Sequence, residues 1–189
     1  MEYCIFSREA HMESADFYTD SRDGQTYRTV RVGAQIWMAQ NMNYACPDSW
    51  NYENDPANGR QYGRLYSWNG AHRACPPGWR IPDNRDWDRL VEDVGGVGDA
   101  GTHLKAKNGW EYNGNGSDDL GFSLLPAGSR FSGGAYCYQG FYASLWSATE
   151  HGATYAYNRC LFYFYADLDA AFSSKFNGLS LRCVKSVSN

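Results

Sequence analysis

Residues 74–96, ACPPGWRIPDNRDWDRLVEDVGG, constrain this chain more than any other stretch. Pro82 is followed by Asp83, whose side-chain oxygen can accept an orphan amide hydrogen of a helix's first turn. Trp87, Leu90, Val91 and Val94 then fall at i, i+3, i+4 and i+7, a single apolar stripe. Asp86, Asp88, Arg89, Glu92 and Asp93 belong to the opposite, polar side. Gly95-Gly96 ends the helix, because glycine takes the left-handed C′ conformation without a Cβ clash.

Around this helix the pattern changes to short strands and loops. Residues 1–22 form a polar extension without helical or strand period, and Asp23-Gly24 is a turn signal. Residues 26–32 (TYRTVRV) alternate as a half-buried strand does, Gly33-Ala34 turns the chain, and residues 35–38 return as the second strand of a hairpin. Residues 41–63 read as a long loop rich in Asn, Asp, Pro, Tyr and Gly, and residues 64–74 as a short helix. Residues 95–121 are irregular apart from one helical turn near 103–106. Strands are expected at 122–125, 145–149, 155–166 and 179–185, with a Gly-rich loop at 128–140. Two helices beside a mainly antiparallel sheet make the fold class α+β, as a single domain over 23–189. Trp37, Trp68, Trp79, Trp87, Leu90, Phe122, Leu125, Trp146 and Leu181 are the expected core.

Composition limits the function classes. A net charge of −4 over 189 residues offers no basic field for nucleic acid or anionic lipid. No run approaches the roughly 20 apolar residues that a spanning helix needs. With 15 Tyr, 7 Trp and 20 Gly, the chain suits a loop-rich surface that binds things. Six cysteines without C-x-x-C spacing argue for disulfides over zinc, and so for a secreted or cell-surface protein. Met1-Glu2-Tyr3-Cys4 opens no signal peptide. Either Met1 was added to a processed chain, which is the reading adopted, or the protein is cytosolic with free thiols.

The segments DGQTYRTVRVGAQIWMAQNMNY (23–44), YGRLYSWNGAHRACPPGWRIPDNRDWDRLVEDVGG (62–96), GSDDLGFSLLPAGSR (116–130), LWSATE (145–150) and NGLSLRCVK (177–185) together resemble the Fibrobacter succinogenes major paralogous domain. The G-W-R-I-P, L-W-S-A-T-E and L-R-C elements are also similar to those of formylglycine-generating and C-type lectin-like domains. The resemblance implies a C-type lectin-like fold: two helices flanking a twisted sheet, with long loops on one side, stabilised by disulfides. It implies a Cys75–Cys183 bridge from two of its motifs. Position in the loop-rich half then pairs Cys137 with Cys160, and the remainder pairs Cys4 with Cys46. Where the family often carries a second cysteine pair in the loop at 46–61, this chain has Trp50 and Gly59.

Several local signals bear on chemistry. Gly96-Val-Gly98-Asp-Ala-Gly101 matches a dinucleotide fingerprint but follows a helix, not a strand, and is rejected. His72, His103 and His151 stand outside any metalloprotease or nucleophile-elbow motif. Asp118 and Asp119 are weak calcium candidates, since neither the EF-hand spacing nor the lectin calcium triplets occur; otherwise no cofactor or metal is expected. Aromatic rings in polar loops are the better binding candidates: Trp50, Tyr52, Tyr136, Tyr138 and Tyr142. The expected function is a non-enzymatic recognition module for a glycan or protein. Alternatives are a formylglycine-type enzyme using Cys137 and Cys160, and a structural module of a surface assembly. Peptide mapping under non-reducing conditions should recover the Cys75 peptide joined to that of Cys183, and any other partner for Cys75 overturns the expected scheme.

Overall fold

The computed structural model describes residues 16–187. The strands are β1 (Asp16–Thr19), β2 (Thr26–Val32), β3 (Gln35–Met38), β4 (Ser49–Trp50), β5 (Leu65–Tyr66), β6 (Ser129–Arg130), β7 (Tyr136–Cys137), β8 (Tyr142–Glu150), β9 (Tyr155–Phe162), β10 (Asp169–Ser174) and β11 (Val184–Ser186). The helices are α1 (Pro56–Tyr62), α2 (Trp68–Ala74), α3 (Asn84–Asp93) and α4 (Val97–Leu104), with a 3-10 turn at Tyr52–Asn54. One sheet runs β1-β2-β3-β11 and a second β10-β9-β8, both antiparallel, with the small pairs β4-β5 and β6-β7 beside them. The chain is α+β, as its patterning predicts.

Strands β3 and β8 divide the core, because successive side chains of a strand point to opposite faces. Trp37 of β3 and Leu145 of β8 enter one apolar cluster, with Trp87, Leu90, Val91 and Val94 of α3. Their chain neighbours Met38 and Trp146 enter the other, with Ala71 and Ala74 of α2. The first cluster is thus covered by α3, with Ala100 and Leu104 of α4 beside it, and the second by α2. Trp37 packs on Trp87 with ring centroids 4.8 Å apart and on Phe122 at 5.8 Å. Two buried indoles are held by carbonyls: Trp146 Nε1 donates to Tyr66 at 2.7 Å and Trp110 Nε1 to Leu124 at 2.9 Å.

Helix α3 begins where Asp83 predicts. The Asp83 carboxylate accepts from the Asp86 amide at 2.9 Å, and the Asp86 carboxylate accepts from the Asp83 amide at 2.8 Å, a reciprocal cap. Asp86 departs from the polar face assigned to it. It is buried, bound by the Arg80 guanidinium and by Gln35 Nε2 at 2.9 Å, and Gln35 Oε1 accepts from Trp37 Nε1 at 3.2 Å. This chain of bonds fixes α3 to β3. Burial raises the Asp86 carboxyl, but Arg80 and the Asp83 amide outweigh burial and hold it below the ordinary carboxylate range.

Several sequence expectations are corrected. Strand β1 lies within the stretch read as an aperiodic extension and pairs with β2. The loop at 41–63 contains β4, the 3-10 turn and α1, and α2 starts only at Trp68, because Ser67 caps it by accepting from the Gly70 amide at 3.0 Å. No strand forms at 122–125: Ser123 has φ +54°, a left-handed conformation that breaks extended pairing. Leu124 is therefore buried and Leu125 only half-buried, and Trp68 is also half-buried. Among the described residues four α-helices replace the expected two. Helix α4 occupies a region read as irregular, and its Gly101 is required sterically, since a Cβ there would lie 2.5 Å from the Ala166 carbonyl oxygen. Strand β10 was not foreseen, its DAAFSS pattern carrying little hydrophobic alternation.

Cys75 and Cys183 form the expected disulfide, across a separation of 108 residues. A bridge of that span contributes roughly 4–5 kcal/mol in the chain-entropy account. The Cys137–Cys160 pairing is overturned: both are free thiols, Cys137 on the β7 edge facing Ser129 and Cys160 buried within β9. Cys46 has no disulfide partner among the described residues, and Cys4 lies outside them.

Because Asp86 is depressed in the folded state, its contribution to stability is present above its unfolded pKa and lost as pH falls through the folded value. Denaturation series should show a decline below about pH 5 that Asp86→Asn largely removes, together with a loss of about 2–3 kcal/mol for that variant at pH 7. A variant as stable as the parent at pH 7 would show that the cap and ion pair do not hold α3. Trp87→Ala, which empties the packed interface, should cost about 3–5 kcal/mol in the same series.

Candidate functional site

The five aromatic candidates fall into two groups. Trp50 on β4, Tyr52 in the 3-10 turn and Tyr136 on β7 close on one another. The Tyr52 and Tyr136 rings are 5.2 Å apart, and the Arg130 guanidinium lies 4.1 Å above the Trp50 ring and 5.8 Å from Tyr136. Tyr136 donates its hydroxyl hydrogen to Asn54 Oδ1 at 2.9 Å, and Tyr52 is 9% exposed. Much of this ring surface is satisfied internally. Tyr138 and Tyr142 belong to the second group, at 6.3 Å from each other, with Tyr142 packed 4.7 Å from Phe162. Burial pushes the Tyr142 phenol up, whereas Tyr138 is 60% exposed on a backbone with φ +65°.

The Tyr52 backbone and the Gln139 side chain anchor α1 beside the first group. Asn58 of α1 donates to the Tyr52 carbonyl at 3.0 Å and accepts from Gln139 Nε2 at 3.2 Å. The next residues of α1 form a wall of a cleft of about 580 Å³. Gly63 closes α1 at φ +78°, so close to the opposite segment that a Cβ would lie 2.7 Å from that of Asn41. The other walls come from the start of β2, from residues 39–43, and from the turns at 106–108 and 118–125.

Charge in this cleft is one-sided. Arg28, Arg60, Lys107 and Arg182 line it, against the single carboxylate of Asp118. That carboxylate is occupied by the Ser123 amide and hydroxyl, both at 2.6 Å. Arg28 Nη2 donates to Ser123 Oγ at 2.9 Å, and Arg182 Nη2 donates to the Ser123 carbonyl at 2.9 Å, so both guanidinium groups converge on one turn. Arg182 is 1% exposed. It also donates Nε to Asn41 Oδ1 at 2.8 Å and Nη1 to the carbonyls of Met38 at 3.1 Å and Phe122 at 2.5 Å. Of its five N–H groups, one on Nη2 has no protein partner among the described residues. Burial lowers Arg182 to about 9, Arg28 adds to the decrease, and Asp118 opposes it. Neutral polar groups complete the lining: Gln40, Asn43, Gln61, Asn108 and the ring of Tyr62.

The calcium candidates diverge. Asp118 holds Ser123, while Asp119 is hydrogen-bonded to His103 Nδ1 and Ser117 Oγ, both at 2.7 Å. Among the described residues no three His, Cys, Asp or Glu side chains gather as a metal set. For the thiols, burial pushes both Cys160 and Cys46 upward, the opposite of what a nucleophile needs. The cleft residues were missed because they lie between 25 and 182 in the chain with no local motif; the R of L-R-C was the nearest signal.

The fold and cleft define a disulfide-linked α+β domain with a polar, cationic recess. The chain belongs to the Fibrobacter succinogenes major domain family, whose pattern matches residues 30–185. No curated protein and no solved structure matches it at a significant level.

Replacing Arg182 by Met should cost at least about 3 kcal/mol in urea denaturation, because three carbonyls and the Asn41 amide oxygen lose a charged donor together. Arg182→Lys should rescue little of this, since one ammonium cannot reproduce the planar fork. A loss below about 1 kcal/mol for the Met variant would show that the guanidinium does not tie these segments.

Proposed function

We propose that this domain is a non-enzymatic recognition module, secreted or carried at the cell surface, that holds a saccharide in the cleft beside α1. The carrying observation is the lining: amides at Gln40, Asn43, Gln61 and Asn108 and the ring of Tyr62 around about 580 Å³. Amides both donate and accept, which suits vicinal hydroxyls, and a ring face packs on the apolar face of a sugar. That volume falls in the range of small-molecule sites. In this reading Trp50, Tyr52 and Tyr136 position α1, and Tyr138 is the most open of the aromatic candidates for a ligand extending beyond the cleft.

The Cys75–Cys183 disulfide supports export, since such bonds persist in oxidising compartments. The C-type lectin-like topology belongs to the same proposal, supported by α2 and α3 covering opposite sides of the strands that divide the core. Against a hydrolytic role, Ser123 meets Asp118 with no imidazole between them, and a carboxylate is too weak a base to activate a serine. The raised Cys160 thiol weighs against formylglycine-type chemistry.

Calorimetric titration with a panel of neutral and acidic oligosaccharides tests the proposal. Tyr62→Ala should weaken the best binder by about 1–2 kcal/mol while leaving the melting temperature nearly unchanged. Binding indifferent to Tyr62→Ala but abolished by Tyr138→Ala would return the site to the aromatic loops. Concentration-dependent self-association with no saccharide bound would favour the structural-module alternative.

A further inference from the structure

We propose that the cleft contains a carboxylate subsite formed by Arg28 and the unpartnered Nη2 hydrogen of Arg182, and that the saccharide it takes is therefore a uronate. This inference rests on the reading of the cleft as a saccharide site. Its first support is the charge imbalance: Arg28, Arg60, Lys107 and Arg182 face the space, and none is ion-paired with a carboxylate among the described residues. The chain as a whole is acidic, at −4, so the cations are gathered here and not supplied by a general excess.

Arg182 gives the second support. A buried guanidinium without a counter-ion is costly, and its four hydrogen bonds go to neutral oxygens. Asp118 offsets part of that charge from a distance, but its oxygens are engaged by the Ser123 amide and hydroxyl and it forms no ion pair with Arg182. Arg28 stands beside it as a second cation held to the same serine. Two like charges fixed within one turn of chain repel, and an anion entering between them relieves that repulsion while gaining charge-assisted hydrogen bonds. Because the cleft is concave and lined by one sign of charge, the field is focused into it.

A planar carboxylate on a sugar ring fits both halves of the lining. Its oxygens accept from the guanidinium groups, and the ring hydroxyls meet Gln61, Asn108 and Gln40. Arg60 and Lys107 are exposed at the cleft's margin and add attraction for further acidic units along a chain.

The experiment titrates the folded protein with trigalacturonate, its methyl ester, a sulfated trisaccharide and a neutral trisaccharide, at 20 and 200 mM salt. The expected result is at least tenfold tighter binding of trigalacturonate than of its ester, weakened severalfold by the added salt. Arg28→Gln should remove that preference, and Arg60→Gln or Lys107→Gln, both at exposed positions, should each reduce it two- to threefold. These two variants keep the test informative should Arg28→Gln fold poorly. Equal affinity for acid and ester overturns the inference and leaves the saccharide proposal standing. Preference for the sulfated sugar overturns the assignment to a carboxylate. No binding of any of the four at millimolar concentration overturns both.

Discussion

The buried guanidinium of Arg182 ties together segments that share no secondary structure. It gathers the end of β3, the Asn41 side chain and the turn at Phe122-Ser123. Its neighbours in the chain carry the same junction further: Leu181 and Cys183 enter the apolar cluster under α2, and Cys183 is linked covalently to Cys75. A charge removed from water is tolerated only where its donors are met, and here the acceptors are carbonyls that no strand partner would otherwise satisfy. The turn at 118–125 is consequently irregular, with Asp118 and Ser123 both in the left-handed region. That irregularity forms one wall of the cleft.

A second junction, at Asp86, orients the long helix against the sheet. Apolar packing of Trp87 on Trp37 alone would allow α3 to slide or rotate, because dispersion is not directional. The bonds from Arg80 and Gln35 to Asp86 add direction to that contact. The clasp of Trp50, Tyr52 and Tyr136 around Arg130 does similar work at the other end, fixing the turn on which α1 is mounted. The walls of the cleft thus depend on loops whose conformation is set by cation–aromatic and cation–carbonyl contacts more than by strand pairing.

That division explains which expectations survived. Helix α3 was legible from Asp83 to Gly95 because its signals are local: a cap, a 3.6-residue stripe and a glycine stop. The β2–β3 hairpin was legible for the same reason, from alternation around Gly33-Ala34. The core was legible residue by residue at Trp37, Trp87, Phe122, Trp146 and Leu181, since large apolar side chains have few other places to go. The Cys75–Cys183 bridge came from family motifs and not from spacing.

Tertiary structure alone decided the rest. Asp86 looks like a surface residue until Arg80 and Gln35 are seen to close over it, and Arg182 looks like an exposed strand residue until four acceptors from distant segments surround it. In the aromatic loops Tyr52 and Tyr136 pack on each other and Trp50 lies under Arg130, contacts that composition does not disclose. The cationic cleft has no sequence signature because its walls come from six separated stretches of chain. Local pattern determined the bounds of α3 and of the β2–β3 hairpin and the apolar stripe that α3 buries, because those choices depend on neighbours a few residues away. Which charges are left without partners, and therefore where a ligand is sought, depends on contacts between residues more than a hundred positions apart, such as Arg182 and Asn41.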